Sequence, residues 1–433
     1  MFQETTATAT AALMPALILA AVRVLTVGNL YPPHHFGGYE QVWHSAVGHL
    51  RARGHDVRVL CTGHRHAGVE DGDEPGVERA LDWYWRDHDF VRLPVRERLR
   101  LERRNHRALR RHLDDGPPDV VAFWAMGGMS HSLIERVRRA GVPAALFVHD
   151  PWPDYGRHTD QWTRIFARPV RRLAAPLAER ATGVPARVDY ARAGRYVFVS
   201  DAVRRGVERL ALGIADTAVA HSGIDALFLD AAPAREWAWR LLHVGRPHPD
   251  KGVHDAIACL AHLPQDATLT LAGAWDPREE DGLRAYARDR GFAERVGFLG
   301  RRTPEQVAAL YGEHDAVLFP VRWEEPWGLV ALEAMGRGRP VVATGRGGSA
   351  EYLRDEENSL LVPPRDPEAL AAAVRRLAAD PGLRARLRAG GLATAPRFTA
   401  ARFSAEVERH LAELAGRRDS RAPRAGAAAR TRT

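Results

Sequence analysis

Short apolar runs alternate with amphipathic stretches along most of the chain. Residues 22–28 (VRVLTVG) read as a buried strand, followed by a loop containing Pro32, Pro33, Gly37 and Gly38. Residues 39–53 then place Val42, Ala46, Val47 and Leu50 on one face, the pattern of an amphipathic helix, and Gly54 ends it. Residues 56–61 are the next strand. A strand, a glycine-bearing loop, a helix and a strand in this order open a Rossmann-like unit. Further apolar runs at 119–124, 144–149 and 196–200 each stop at a polar residue. Ligands of open parallel sheets sit at the carboxyl ends of strands, so His149, Asp150 and Ser200 fall where function is expected.

The pattern breaks at residues 222–225 (SGID), and a domain boundary is expected near there. A second β/α series follows, with strands expected at 241–245, 268–273, 296–299, 316–320 and 340–344 and helices between them. The fold class is therefore α/β, with two Rossmann-like, doubly wound halves. The expected limits are an N-terminal extension over 1–21, a first domain over 22–222, a second over 223–399, and a returning helix at about 400–414. A chain of 433 residues suits two domains of this size.

Charge adds one qualification. The formal net charge is +8, but residues 417–433 hold six Arg against one Asp, so +5 of it lies in a tail of disordered composition. The body is only mildly basic, and nucleic acid is not an expected partner. Cys61 and Cys259, the only two cysteines, lie in apolar contexts. They read as buried thiols of a reducing compartment, so a cytoplasmic location is expected. Residues 11–22 resemble a signal h-region, yet Glu4 rather than a cation precedes them. A dispensable extension is the expected reading.

Three clusters in the second half carry chemistry. In the first, Gly245 and Arg246 end a strand and Lys251 opens the next helix. Two cations and a free helix N-terminus suit a diphosphate. The other 61 basic side chains, apart from histidine, are Arg, so the single Lys stands where a flexible ammonium can follow charge building on a leaving phosphate. In the second, Pro326 holds Glu325 extended ahead of a helix expected to start near Trp327, with Glu333 about two turns in. Two carboxylates so placed reach different parts of one extended ligand. In the third, Gly347 and Gly348 form a backbone nest for an anion.

Taken in order, these residues resemble the retaining glycosyltransferases of family 4, which have the GT-B fold: two domains facing across a cleft, with a closing helix that crosses back to the first. The resemblance covers residues 22–414 and rests on Gly37 and Gly38, the 222–225 segment, Gly245, Arg246, Lys251, Glu325, Trp327, Gly328, Glu333, Gly347 and Gly348. It implies a nucleoside-diphosphate sugar as donor and an acceptor hydroxyl. It assigns Arg246 and Lys251 to the diphosphate and Glu333 to the ribose. Glu325 and the following backbone, with Trp327, Gly328 and Leu329, lie at the transferred sugar. His149 faces that sugar from the first domain, so the catalytic set is His149, Glu325, Arg246 and Lys251. Gly38 lets the first loop approach donor and acceptor, and Gly37, His34 and His35 border the acceptor. Ser222 departs from the Asn or Pro common before the Gly of the interdomain segment.

No metal or other cofactor is expected. The pairs Asp71/Asp73 and Asp87/Asp89 mimic the DxD of metal-dependent sugar transferases but stand at no clear strand end, and His34, His35, His64 and His66 lack zinc spacing. The acceptor stays open between a natural product, a glycolipid and a polysaccharide. Residues 96–111 carry eight Arg and two Glu, with Leu99, Leu109 and Leu113 on a narrow face. A solvated helix is favoured; weak peripheral contact with an anionic membrane is the other reading. The rival functions are a nucleotide-sugar-binding GT-B protein without transfer, and a sugar-nucleotide epimerase.

Overall fold

In a computed structural model the described residues are 21–35, 37–66, 69–70, 72, 74–86, 89–246, 248–273 and 276–419. The expected extension over 1–21, but for its last residue, and residues 420–433 of the tail lie outside them, as do Asp71, Asp73 and Asp87.

Two all-parallel sheets organise the chain. The first contains β1 (Arg23–Val27), β2 (Asp56–Thr62), β3 (Val77–Leu81), β6 (Val120–Phe123), β7 (Ala144–Val148), β8 (Arg195–Phe198) and β9 (Thr217–Val219), and β4 (Trp85–Arg86) pairs with β5 (Asp89–Phe90) as a separate hairpin. The second contains β10 (Arg240–Val244), β11 (Thr268–Ala272), β12 (Val296–Gly300), β13 (Ala316–Phe319), β14 (Val341–Ala343) and β15 (Leu360–Leu361). Their orders are β3-β2-β1-β6-β7-β8-β9 and β12-β11-β10-β13-β14-β15. Each sheet thus reverses its direction of growth beside its first strand, between β1 and β6 and between β10 and β13. A crevice opens at such a reversal because the two connections leave to opposite faces.

β6, β7, β8 and β13 are buried along their whole length, as strands covered on both faces must be. The expected central strands all form, with ends shifted by one or two residues. Edge strand β3 has no continuous apolar run: VERAL is half-buried and carries two charges. β9 and β15 have three and two residues, too short to show a period.

The chain crosses between the sheets twice, side by side. Ile224 N–H donates to the Phe398 carbonyl at 3.0 Å and Ala400 N–H to the Ile224 carbonyl at 2.8 Å. A Cβ on Gly223 would lie 2.1 Å from the Thr399 carbonyl carbon, so only glycine lets the strands of this double crossing touch. The helix Ala400–Asp419 then packs on the first domain. It buries Phe403, Val407 and Leu411 in one cluster with Trp43, Val24 and Trp124. Glu408 anchors it to His49, Arg53 and His55 at 2.9–3.3 Å.

The Arg-rich helix Val95–Asp114 buries Leu101, Ala108 and Leu109 and turns its cations outward, where Arg104 and Arg111 pair with Asp82 and Glu78. Its apolar face is used by the core, which is the solvated-helix reading. No helix among the described residues is long and apolar enough to cross a membrane.

Candidate active site

The two crevices face one another and enclose a cavity of about 880 Å³ lined from both domains. From the second domain come Gly245, Arg246, Lys251, Glu325, Trp327, Gly328, Leu329 and Glu333; from the first, His35, Gly37, Gly38, His149, Asp150 and Tyr155.

Lys251 is set by the short turn Pro249–Lys251 after β10. Gly252 follows in the left-handed region, φ 71°, pressed against the Pro320 carbonyl at the end of β13. That contact brings the lysine next to the 322–328 loop. Its Nζ donates to both carboxylate oxygens of Glu325, at 3.0 and 2.7 Å, and lies 5.2 Å from the Trp323 ring centre. Trp323 Nε1 donates to the same carboxylate at 2.7 Å. Glu325 is 6% exposed, so its charge is neutralised by two donors rather than by water. Lysine and glutamate, expected to reach separate parts of a ligand, therefore hold each other at the cleft wall.

Gly347 and Gly348 do not line the cavity. Cβ atoms there would lie 2.4 and 2.0 Å from the carbonyl oxygens of Glu325 and Pro326, and Gly348 N–H donates to the Glu325 carbonyl at 2.6 Å. The pair supports the glutamate loop from behind, which corrects their reading as an anion nest.

The following helix begins at Leu329, not Trp327, because Gly328 takes φ 93° against the Phe319 ring. No side chain caps it, so its first-turn N–H groups stay open to an anionic ligand. Glu333 is consequently one turn in, not two. Tyr311 Oη donates to it at 2.8 Å, and burial raises its carboxyl to about 7. Trp327 is 3% exposed and donates Nε1 to the Ser222 carbonyl at 2.7 Å while stacking on His221. Its indole therefore ties the interdomain crossing, and the residue also lines the cavity.

Across the cleft, the helix Gly38–Ala52 starts against Leu329: a Cβ on Gly38 would sit 3.4 Å from its Cδ1. Glu40 at the third helical position accepts from Gly37 N–H at 3.0 Å. Burial raises Glu40 to about 7, and Arg246 opposes that shift from across the cavity. Burial raises Asp150 too; it accepts from Tyr155 Oη at 2.7 Å and also feels Arg246. Arg246 is exposed at the wall and thus faces two carboxylates of the other domain. His149 stacks on Tyr39 at 4.6 Å, its Nδ1 lies 3.3 Å from Ser222 Oγ, and burial holds it neutral with a pKa near 3. Its buried Nε2 has no hydrogen-bond partner among the described residues, and the residue lines the cavity as a neutral imidazole.

His35 bridges the domains: Arg301 Nη2 donates to its Nε2 at 2.9 Å. His34, expected at the acceptor side, does not line the cavity. It is fully buried away from the cavity lining, and its Nδ1 accepts from His66 N–H at 3.2 Å. Glu40, Tyr311, Trp323 and Arg301 had no signal of their own; Glu40 alone stands in a legible place, three residues into a helix that follows a glycine. Among the described residues no cluster of three His, Cys, Asp or Glu can hold a metal ion.

These groups set opposite pH dependences. Glu40 and Glu333 keep protons to about pH 7, whereas burial holds His149 and His106 down to about 3 and His35, His243 and His410 to about 4. Below about pH 6.5 the unfolded chain takes up histidine protons that the native state refuses, so stability falls on acidification. From about pH 4.5 to about 7 the native state retains carboxyl protons the unfolded chain has lost, so Glu40 and Glu333 lower stability as pH rises through that window and oppose the five histidines until both titrations are complete. Melting temperature should climb towards neutrality and level off above about pH 7; a continued rise to about pH 9 would contradict this assignment.

Residues 230–393 match the family model "Glycosyl transferases group 1" and residues 36–226 match "Glycosyltransferase Family 4". The chain is 29% identical to a glycogen synthase of Mycobacterium tuberculosis, over 83% of this chain and 87% of that one. It is 38% identical to a D-inositol 3-phosphate glycosyltransferase of Acidothermus cellulolyticus, over 36% of this chain and 37% of that one. The fold matches that of Anabaena HepE in complex with UDP and glucose, with a TM-score of 0.67 at 21% identity, covering 91% of this chain and all of that one.

Proposed function

The chain belongs to the family 4 glycosyltransferases and has their GT-B fold, and from that premise we propose that it moves a hexosyl group from a nucleoside diphosphate to an acceptor hydroxyl with retention and without a metal. The observation that carries this reading is convergence. Arg246, Lys251, Glu325, Glu333 and His149 come from three separate stretches of sequence and line one cavity.

The donor diphosphate lies between Arg246, Lys251 and the open N–H groups at Leu329. Glu333 accepts from the ribose hydroxyls in its ionised form. When the phosphate draws Lys251 away, the Glu325 carboxylate is freed to accept from hydroxyls of the transferred sugar. Neutral His149 lies beside the same sugar. As the glycosidic bond breaks, charge grows on the leaving phosphate, and two cations with a helix N-terminus stabilise it more than they stabilise the ground state. The acceptor approaches on the face the phosphate leaves, and the phosphate oxygen takes its proton. Positioning and electrostatics replace a metal ion.

Calorimetric titration with UDP, ADP and GDP, without added metal, should show saturable binding of at least one, unchanged by a chelator. Proton NMR of the product should show the donor's anomeric configuration. Absence of nucleotide binding, dependence on metal or an inverted product would each overturn the proposal. In addition, Glu333→Gln should weaken nucleoside-diphosphate binding about tenfold, from loss of a charged hydrogen bond. For the wild type, binding should strengthen as pH rises through 7, where Glu333 ionises; a flat profile would remove it from the ribose.

A further inference from the structure

Among the described residues five large hydrophobic side chains are exposed, and three of them stand in one short segment: Val170 at 84%, Leu173 at 85% and Leu177 at 72%. They stand within eight residues of one another, across the helices Pro169–Arg172 and Ala175–Thr182 and the turn between them. The segment is seated from beneath. Ala175 is fully buried with Trp162, Phe166 and Val184 in a small cluster of its own. That cluster holds the shelf in place and leaves its outer side to solvent. Exposed apolar residues gathered this way mark an interaction surface, whereas scattered single ones do not.

Charge says what covers it. From residue 161 to 178 the chain has four arginines, at 164, 168, 171 and 172, and no acidic residue. All four are exposed, and among the described residues none of them forms an ion pair. Elsewhere the arginines of this domain are commonly paired, as Arg104, Arg111, Arg138 and Arg139 are. We infer that residues 164–177 dock on an anionic lipid surface, with Val170, Leu173 and Leu177 entering the headgroup boundary and the arginines meeting lipid phosphates. A protein partner would call for carboxylates matched to four close cations and for a packed apolar counterface; a lipid interface supplies diffuse negative charge and hydrocarbon in one layer. The shelf follows the helix Trp152–Thr159, whose Tyr155 lines the active cavity. Docking therefore holds the membrane against the domain that faces the acceptor. This moves membrane contact from residues 96–111, whose apolar side is spent in the core, to a segment whose apolar side is free.

Co-sedimentation of the full chain with vesicles tests it. Binding to phosphatidylcholine–phosphatidylglycerol vesicles is expected, with little to pure phosphatidylcholine, and it should weaken as salt screens the charges. Replacing Arg171 and Arg172 together by Ala should weaken partition about thirtyfold. Leu173→Ser with Leu177→Ser should release the protein to a similar degree. Nucleotide binding should stay at the wild-type level in both, since these residues lie outside the cavity. Binding that ignores both variants would place the contact elsewhere, for instance in the basic tail, and overturn the inference. So would equal binding to neutral vesicles, or a dimer in sedimentation that Leu173→Ser dissolves without any vesicle binding.

Discussion

Lys251→Ala should lower kcat by about 10²–10³, the cost of removing one preorganised donor from a developing oxyanion. The same substitution removes the main partner of Glu325, whose carboxylate is 6% exposed and would keep only Trp323 Nε1. A native-state loss of about 2–4 kcal/mol is therefore expected alongside the kinetic effect. The two effects separate in a double-mutant cycle. Adding Glu325→Gln to Lys251→Ala removes the unpaired charge and should recover most of the melting temperature but none of the rate. If the double variant recovered both, Lys251 would be a structural counter-ion. If the single variant kept wild-type kcat, the diphosphate role would be lost outright.

Gly252→Ala should be at least as damaging, by a route that touches no ligand. A methyl group there would lie 1.9 Å from the Pro320 carbonyl oxygen, in backbone at φ 71° that an L side chain rarely adopts. Left-handed strain of about 1–2 kcal/mol and overpacking of about 1–3 kcal/mol add to a large part of ordinary domain stability. Relief requires the 249–252 turn to move off β13, and Lys251 moves with it. Both melting temperature and transfer rate should fall, whereas Gly282→Ala, inside the helix Pro277–Asp289 with nothing within 4 Å of its Cβ, should leave the rate unchanged and raise rather than lower the melting temperature. A Gly252→Ala protein with wild-type melting and turnover would refute the packing argument.

The positions of chemistry were more legible than their relations. Central strands stood out because burial on both faces demands unbroken apolar runs, as in Ala144–Val148. β3, β9 and β15 did not, since an edge or a two- to three-residue strand needs no such run. Lys251, Glu325 and Glu333 announced themselves through residue type beside glycine and proline. Glu40 could not, because a glutamate in a first turn is ordinary helix chemistry until a second domain places Arg246 opposite it. His34 shows the reverse error: adjacent in sequence to His35, it turns into the protein while His35 reaches Arg301.

Sequence by itself determined the central strands, the class of fold and the places of the three glycine-bearing clusters, because periodicity and backbone permissiveness are local properties written residue by residue. Only the tertiary structure decided that Lys251 pairs with Glu325, that Gly347 and Gly348 support a loop rather than an anion, and that an arginine-rich helix spends its apolar side inside while residues 170–177 keep theirs outside. These outcomes depend on what the rest of the chain presses against each residue, and two sheets brought together by a double crossing set that.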